Sequence, residues 1–291
     1  MKMTFNVECL LCHINKTLKV ASSLGDEKTN RAFARELMQL YDRMPENAFA
    51  PWLAPHTAQL LNRYYGVDFD RYAQEKRDSN AFVMERLEQI RSKVLAAPDP
   101  VFAALQFAIL GNYIDYSALH GEVSFEKLEE MLASALDMEL DMACYESFVR
   151  ELEKGGKLLY ITDNAGEIGF DRILAEEIVK KYPQVEITFC VRGGPANNDA
   201  TREDARQIGL PFPVIDNGNL IPGTQLDELG QEAKTAVETA DILLAKGQGN
   251  AETLMGCGLN VYYAFLIKCP RFMNHFQKEK LSPMFAKELH A

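Results

Sequence analysis

Residues 157–177, KLLYITDNAGEIGFDRILAEE, constrain the fold most, because the hydrophobic period changes in the middle of this one stretch. Leu158, Leu159, Tyr160 and Ile161 form an apolar run with the length and content of a buried strand. The run breaks on Thr162-Asp163-Asn164-Ala165-Gly166-Glu167. From there Ile168, Ile173, Leu174, Ile178 and Val179 fall on one face of a helix. Strand, tight loop and helix in that order predict an α/β unit whose loop lies at the carboxyl end of the strand, where open parallel sheets bind ligands. Asp163 and Asn164 offer hard oxygen atoms of the kind that hold Mg²⁺ or Mn²⁺. The helix N-terminus behind them suits an anion such as phosphate. Asp and Asn ahead of a helix are also ordinary cap and turn residues, so this stretch alone leaves both readings open.

Upstream, residues 1–150 read as helices almost throughout, at about 6–23, 28–43, 55–65, 70–97, 100–119, 124–135 and 143–154. Breaks are expected at Leu24-Gly25, Pro45, Pro51, Gly66, Ala97-Pro98-Asp99-Pro100 and Gly121. One of these helices is unusual, since Gly111, Asn112 and Asp115 interrupt an apolar run. Asn112 and Asp115 are three apart and would share a helical face, where buried polar groups need partners. A helix end capped by Asn112 is the alternative. Cys9-Leu10-Leu11-Cys12-His13 has the spacing of a haem attachment site. No export signal accompanies it and no second ligand pair of zinc spacing follows, so neither haem nor zinc is expected there. A helical cysteine pair near the core, or one tying the first helix to the rest of the chain, is the expected role.

After Gly155-Gly156 strands and helices alternate. Strands are expected at 158–161, 185–191, 212–215, 242–245 and 261–267, and helices at 168–181, 202–208, 225–239 and 250–255. Such alternation predicts a mainly parallel sheet covered on both faces. The expected architecture is an all-helical domain over 1–154 packed on a Rossmann-like α/β/α domain over 155–291. Three further strand-end loops then matter. After Val191 comes Arg192-Gly193-Gly194-Pro195-Ala196-Asn197-Asn198-Asp199, with Asp199 just ahead of a helix. After Ala245 comes Lys246-Gly247-Gln248-Gly249-Asn250-Ala251-Glu252, which has neither P-loop spacing nor a Rossmann fingerprint. Its amides and Lys246 nevertheless suit phosphate. After Ile267 comes Lys268-Cys269-Pro270. Each loop alone reads as an ordinary turn, but parallel strands bring all of them to one edge.

Composition narrows the class of partner. A net charge of -11 with no basic block argues against nucleic acid and anionic membrane surfaces. The chain has no apolar run long enough to span a bilayer and no signal-peptide core at its start. Six unclustered cysteines in 291 residues suggest reduced thiols and a cytoplasmic setting.

The ordered set of motifs resembles the damage-control phosphatase family, in its short prokaryotic form. The resemblance runs through Cys9-x-x-Cys12, Gly111-Asn112-x-x-Asp115 and Asp163-Asn164-Ala165-Gly166-Glu167. It continues through Asn198-Asp199-Ala200-Thr201, Lys246-Gly247-Gln248-Gly249-Asn250 with Glu252, and Lys268-Cys269. It implies a metal-dependent phosphatase of small phosphometabolites, with the metal on Asp163, Asn164 and Asp199. Mg²⁺ or Mn²⁺ is the expected ion, with Co²⁺ and Ni²⁺ as substitutes. It implies phosphate contacts from Lys246, Gly247, Gln248, Gly249, Asn250 and Lys268. Glu167, or Asp115 with Asn112, is expected to position the attacking water; direct attack and an aspartyl phosphate on Asp163 both remain open. The Arg-Thr-x-Lys motif of eukaryotic relatives is not found, so their sugar-phosphate preferences do not transfer. Two rival functions stand beside this one: an S-adenosylmethionine-dependent carboxyl methyltransferase, and a non-catalytic protein that binds a metal or a phosphometabolite. Asp199, on a strand-end loop, is expected to contribute little to the core.

Overall fold

In chain order the helices before the sheet are α1 (Val7–Ser22), α2 (Glu27–Asp42), α3 (Leu53–Tyr65), α4 (Ala73–Ala96), α5 (Pro100–Gly111), α6 (Phe125–Ala133) and α7 (Met142–Lys154). They come from a computed structural model that describes residues 4–119 and 123–288. The expected break at Gly121 lies outside the described residues. Local chemistry sets the other boundaries. Asp26, Asp99 and Asp141 each accept a backbone N–H at the start of their helix, and Gly66, at φ 68°, ends α3.

The second half alternates as the hydrophobic period predicts: β1 (Gly156–Ile161), α8 (Glu167–Lys181), β2 (Val185–Val191), α9 (Arg202–Gln207), β3 (Val214–Asp216), α10 (Gln231–Thr239), β4 (Ile242–Lys246), α11 (Gln248–Leu254), β5 (Val261–Leu266), α12 (Pro270–Phe276) and β6 (Pro283–Lys287). The strands form one six-stranded sheet in the order β3-β2-β1-β4-β5-β6. Every pairing is parallel except that of β5 with β6. The order reverses between β1 and β4, the switch point at which loops splay apart and leave a crevice. Ile161 at the end of β1 lies between Cys190 of β2 and Ala245 of β4. The loops that begin at Thr162, Arg192 and Gly247 therefore leave the sheet side by side.

Alternate residues of the strands feed two cores. Leu158, Tyr160, Phe189, Leu244 and Tyr262 pack against α4, α5, α7 and α8 on one face. Leu159, Ile161, Leu243, Tyr263 and Phe265 pack against α10, α11 and α12 on the other. The first core takes residues from both sides of Gly155. Helices α1, α2 and α3 instead share a small core of their own around Phe33, Leu37 and Leu61. Among the described residues no helix is long and apolar enough to cross a membrane.

Three expectations need correction. The helix predicted over 100–119 stops at Gly111, and Asn112 is its C-cap, so Asn112 and Asp115 do not share a helical face. The chain tightens there through bonds from the N–H groups of Tyr113 and Ile114 to the carbonyls of Leu110 and Gly111. Gly111 itself permits the close approach of α5 to α8: a Cβ there would sit 2.4 Å from the Phe170 ring. The helix predicted over 225–239 is divided, because Leu229 and Gly230 are extended and the Gly230 N–H goes to the Asn217 carbonyl. Residues 270–287 add α12 and the antiparallel edge strand β6, neither of which was expected.

Candidate active site

Four backbone segments meet at the switch point, and hydrogen bonds between two of them explain how Asp163 and Asp199 converge. The Ala165 N–H donates to the Asn198 carbonyl at 2.9 Å, and the Ala200 N–H donates to the Asp163 carbonyl at 2.7 Å. Asn164 and Asp199 thereby form an antiparallel bridge. Asn80 of α4 pins the same loop from the helical side. Its Oδ1 accepts the Gly166 N–H at 2.6 Å, and its Nδ2 donates to Asp204 of α9 at 3.0 Å.

Asp163 is the centre of this arrangement. Its Oδ2 accepts the Nδ2 of Asn112 at 2.9 Å and of Asn164 at 2.8 Å. Gly247 lies directly behind it at φ 80°, and a Cβ at that position would fall 1.9 Å from the Asp163 Oδ2. The Gly-rich turn thus has glycine at 247 so that the aspartate fits. Burial, then the neighbouring charges of Asp199 and Glu167, push the Asp163 carboxyl well above the usual carboxylate range. Asp199 is pushed up to about 6 by burial, against the pull of Arg192. Arg192 is fully buried, donating from Nε to Asp199 at 2.6 Å and from Nη2 to Asn250 at 3.0 Å. Asp199 is therefore half of a buried ion pair, not the weakly engaged loop residue expected.

The predicted residues separate into a wall and a support. A cavity of about 240 Å³ opens at the strand ends, and Asp115, Asp163, Asp199, Gln248 and Gly249 line it. The others stand behind, buried and engaged. Asn112 donates to Asp163 and Glu167 and accepts the Leu266 N–H of β5 at 3.1 Å. Glu167 is fully buried and takes donors from Asn112, Asn164 and Lys246 on its two oxygens. That geometry makes it an anchor for two amides and an ammonium, and not the water-positioning group expected. Lys246 is also fully buried; its ammonium donates to Glu167 at 2.6 Å, to the Ala108 carbonyl at 2.7 Å and to Asp171 at 2.8 Å. With its three protons used, it is placed as a structural cation and not as the expected phosphate contact. Asn250 is likewise taken up, accepting from Arg192 and Thr224 and donating to the carbonyls of Thr162 and Lys246. Lys268 lies behind Asp115, donating to its Oδ2 at 2.7 Å. Burial would raise the Asp115 carboxyl, but Lys268 overrides it and holds the group below the usual range. The N-terminus of α8, expected to suit phosphate, is closed within the chain: the Ile168 and Gly169 N–H groups go to the carbonyls of Asn164 and Gly166.

Several participants were missed. Asp171 of α8 accepts both Lys246 and the Tyr160 hydroxyl, at 2.8 Å each. Its signal was an acid four residues after Glu167 on the apolar side of the helix. Arg192 had one too, a cation ending an apolar strand just before two glycines. Asn80 had none, because it sits in a polar stretch of α4.

The carboxylates of Asp163 and Asp199 that line the cavity are hard oxygen donors of the kind that could hold a divalent cation. Five carboxylates (Asp115, Asp163, Glu167, Asp171 and Asp199) are gathered with three cations (Lys246, Lys268 and Arg192). The Oδ1 of Asn198, beside the Asn164 amide, is buried with no hydrogen-bond partner among the described residues. Among those residues no three His, Cys, Asp or Glu side chains form a metal-ligating group, so further ligands beside Asp163 and Asp199 would be side-chain amide oxygens, backbone carbonyls or water. At Cys9-Leu10-Leu11-Cys12-His13 both imidazole nitrogens of His13 are engaged, Nδ1 with Tyr41 and Nε2 with Thr57. The Cys9 Sγ receives Arg271, which links α1 to α12.

Comparison with known proteins identifies the family. Residues 5–282 match the family described as the damage-control phosphatase ARMT1-like domain. Damage-control phosphatase PH1575 of Pyrococcus horikoshii is 31% identical over 274 residues, covering 92% of each chain. A damage-control phosphatase of Archaeoglobus fulgidus is 33% identical over 237 residues, covering 80% of each chain. An uncharacterized protein of Methanocaldococcus jannaschii is 32% identical over 276 residues, 90% of this chain and 88% of that one. The crystal structure of a DUF89 family protein from P. horikoshii superposes with a TM-score of 0.82 at 28% identity, covering 98% of this chain and 99% of that one.

Proposed function

The chain belongs to the damage-control phosphatase ARMT1-like family, and from that premise we propose that it is a divalent-metal-dependent phosphatase of small phosphorylated metabolites. The observation that carries this reading is the convergence of Asp163 and Asp199 on one cavity at the sheet's switch point. The ligands would be Asp163, Asp199 and the Asn164 Oδ1, an oxygen that accepts from Asn198 and retains capacity for a second partner. Bound there, Mg²⁺ or Mn²⁺ would supply Lewis-acid stabilisation of phosphoryl charge and a fixed geometry for in-line attack.

The chain's own groups do the rest. Asn112 and Asn164 hold the Asp163 Oδ2, and its Oδ1, 4.0 Å from the Arg192 Nη2, is the oxygen that remains for a metal. Arg192 fixes Asp199 in the same way. Glu167 and Lys246 keep both amides oriented, and because that layer is buried and fully bonded it needs no rearrangement when substrate arrives. Asp115, held by Lys268 on one oxygen, accepts the Ser117 and Ala118 N–H groups with the other and lines the cavity. A cavity of about 240 Å³ matches a small metabolite better than a polymer.

The test is a panel of phosphomonoesters offered to the purified protein with Mg²⁺, Mn²⁺, Co²⁺ or Ni²⁺. Phosphate release that chelation abolishes and metal restores is expected. Tight ligand binding with no turnover under any of the four metals would contradict the reading.

A further inference from the structure

The cavity wall is acidic: Asp68, Asp115, Asp163, Asp199 and Glu252 all line it. A phosphate ester in such a wall needs cations within reach. Lys246 has no proton left to give, and the Lys268 side chain is buried behind Asp115. Among the described residues the Lys and Arg side chains that do line the cavity are Lys16 and Arg71, both contributed by the N-terminal part of the chain. Arg71 is exposed and lies over the Tyr72 ring, 4.9 Å from its centroid. Lys16 points inward from α1 and donates to the Ser117 carbonyl. That carbonyl belongs to the turn organised by Asp115, whose Oδ1 accepts the N–H groups of Ser117 at 3.0 Å and Ala118 at 2.8 Å. One acceptor uses one of the three ammonium protons.

We infer that Lys16 is a phosphate-contacting residue of the substrate site, reaching it from a helix outside the α/β part of the chain. The identity of the ligand rests on the phosphatase reading above. The position of Lys16 is fixed independently of that reading, because α1 is held by its own core with α2 and α3 and by His13, one turn away, between Tyr41 and Thr57. Burial lowers the Lys16 pKa while Asp115 raises it and Arg71 lowers it again, so a bound anion relieves an unfavourable setting. The site then combines acids of two strand-end loops, Asp163 and Asp199, with a cation from α1.

The test titrates inorganic phosphate by calorimetry, in the presence of Mn²⁺, into the wild type, Lys16→Met and Lys16→Arg, with melting curves for each. KM and kcat for p-nitrophenyl phosphate are measured in parallel. Lys16→Met is expected to weaken phosphate binding by about ten- to a hundredfold, the loss of one charge-assisted hydrogen bond. It should raise KM more than it lowers kcat, and Lys16→Arg should recover most of the affinity. Unchanged phosphate affinity in Lys16→Met overturns the inference. So does a loss that Lys16→Arg fails to recover, since packing alone would give that result. If the wild type binds phosphate through Lys16 but hydrolyses no ester, the phosphatase reading fails and this inference stands. If the wild type binds no phosphate, this inference falls.

Discussion

Gly247 shows how one residue couples backbone shape to chemistry. Its positive φ and the 1.9 Å that would separate a Cβ from Asp163 leave no room for a side chain. Gly247→Ala is expected to cost about 2–5 kcal/mol from strain and overpacking together, and to abolish turnover; denaturant titration and a phosphatase assay check both. Lys246 separates two accounts of the same motif. As the partner of Glu167 and Asp171, its replacement in Lys246→Met strands two buried carboxylates and should destabilise the fold by about 3–5 kcal/mol. A phosphate contact would instead show as a raised KM with little change in unfolding. Glu252 provides a pH signature. Burial pushes its carboxyl up to about 7 from an ordinary 4.5, while Gln248 and the Arg271 charge pull it down; Cys9 and Cys269 are the other titratable groups that feel it. Between those two values the folded chain holds a proton that the unfolded chain has released. The stability that Glu252 contributes is therefore complete below about pH 4.5 and is lost as pH rises through about 7. Glu252→Gln should melt higher than the wild type at about pH 8 and nearly level with it at about pH 4. Equal melting temperatures at the higher pH would contradict this.

At the scale of elements, what the sequence shows depends on whether the determinant is local. The strand, loop and helix at 157–177 were legible because the change of period is written into adjacent residues, as was the alternation that predicts a parallel sheet. The end of α5 was less so. Gly111, Asn112 and Asp115 marked it as odd, but the need for glycine at 111 answers to the Phe170 ring of α8, a contact made at long range. The role of Lys246 was misjudged for the same reason, since its acceptors come from α5 and α8. Asn80 is a further case: it lies in a polar stretch of α4, yet it joins that helix to the loop after β1 and to α9. Asn80→Ala is expected to cost about 1–3 kcal/mol, by leaving the Gly166 N–H unpaired. It should also lower turnover by loosening the loop that carries Asp163. Urea unfolding and steady-state kinetics test the two effects, and wild-type behaviour in both would remove Asn80 from the account.

For the whole molecule, the strand order places the ends of β1, β2 and β4 side by side, so residues far apart in the chain reach one crevice. The sequence could show which loops share an edge. It could not show which side chains in them face the cavity, because the facing choice is made by buried partners such as Arg192, Asp171 and Asn80. The central claim is that Asp163 serves a bound metal and not the fold. Asp163→Asn tests it directly, since an amide oxygen can still accept the bonds from Asn112 and Asn164, and loss of the charge relieves repulsion from Asp199 and Glu167. Mn²⁺ titration, melting temperature and phosphatase turnover are measured on this variant beside the wild type. Expected are a melting temperature equal to or above the wild type and metal affinity and turnover each lower by about a hundredfold or more. Wild-type metal affinity and turnover in a folded Asp163→Asn would contradict it.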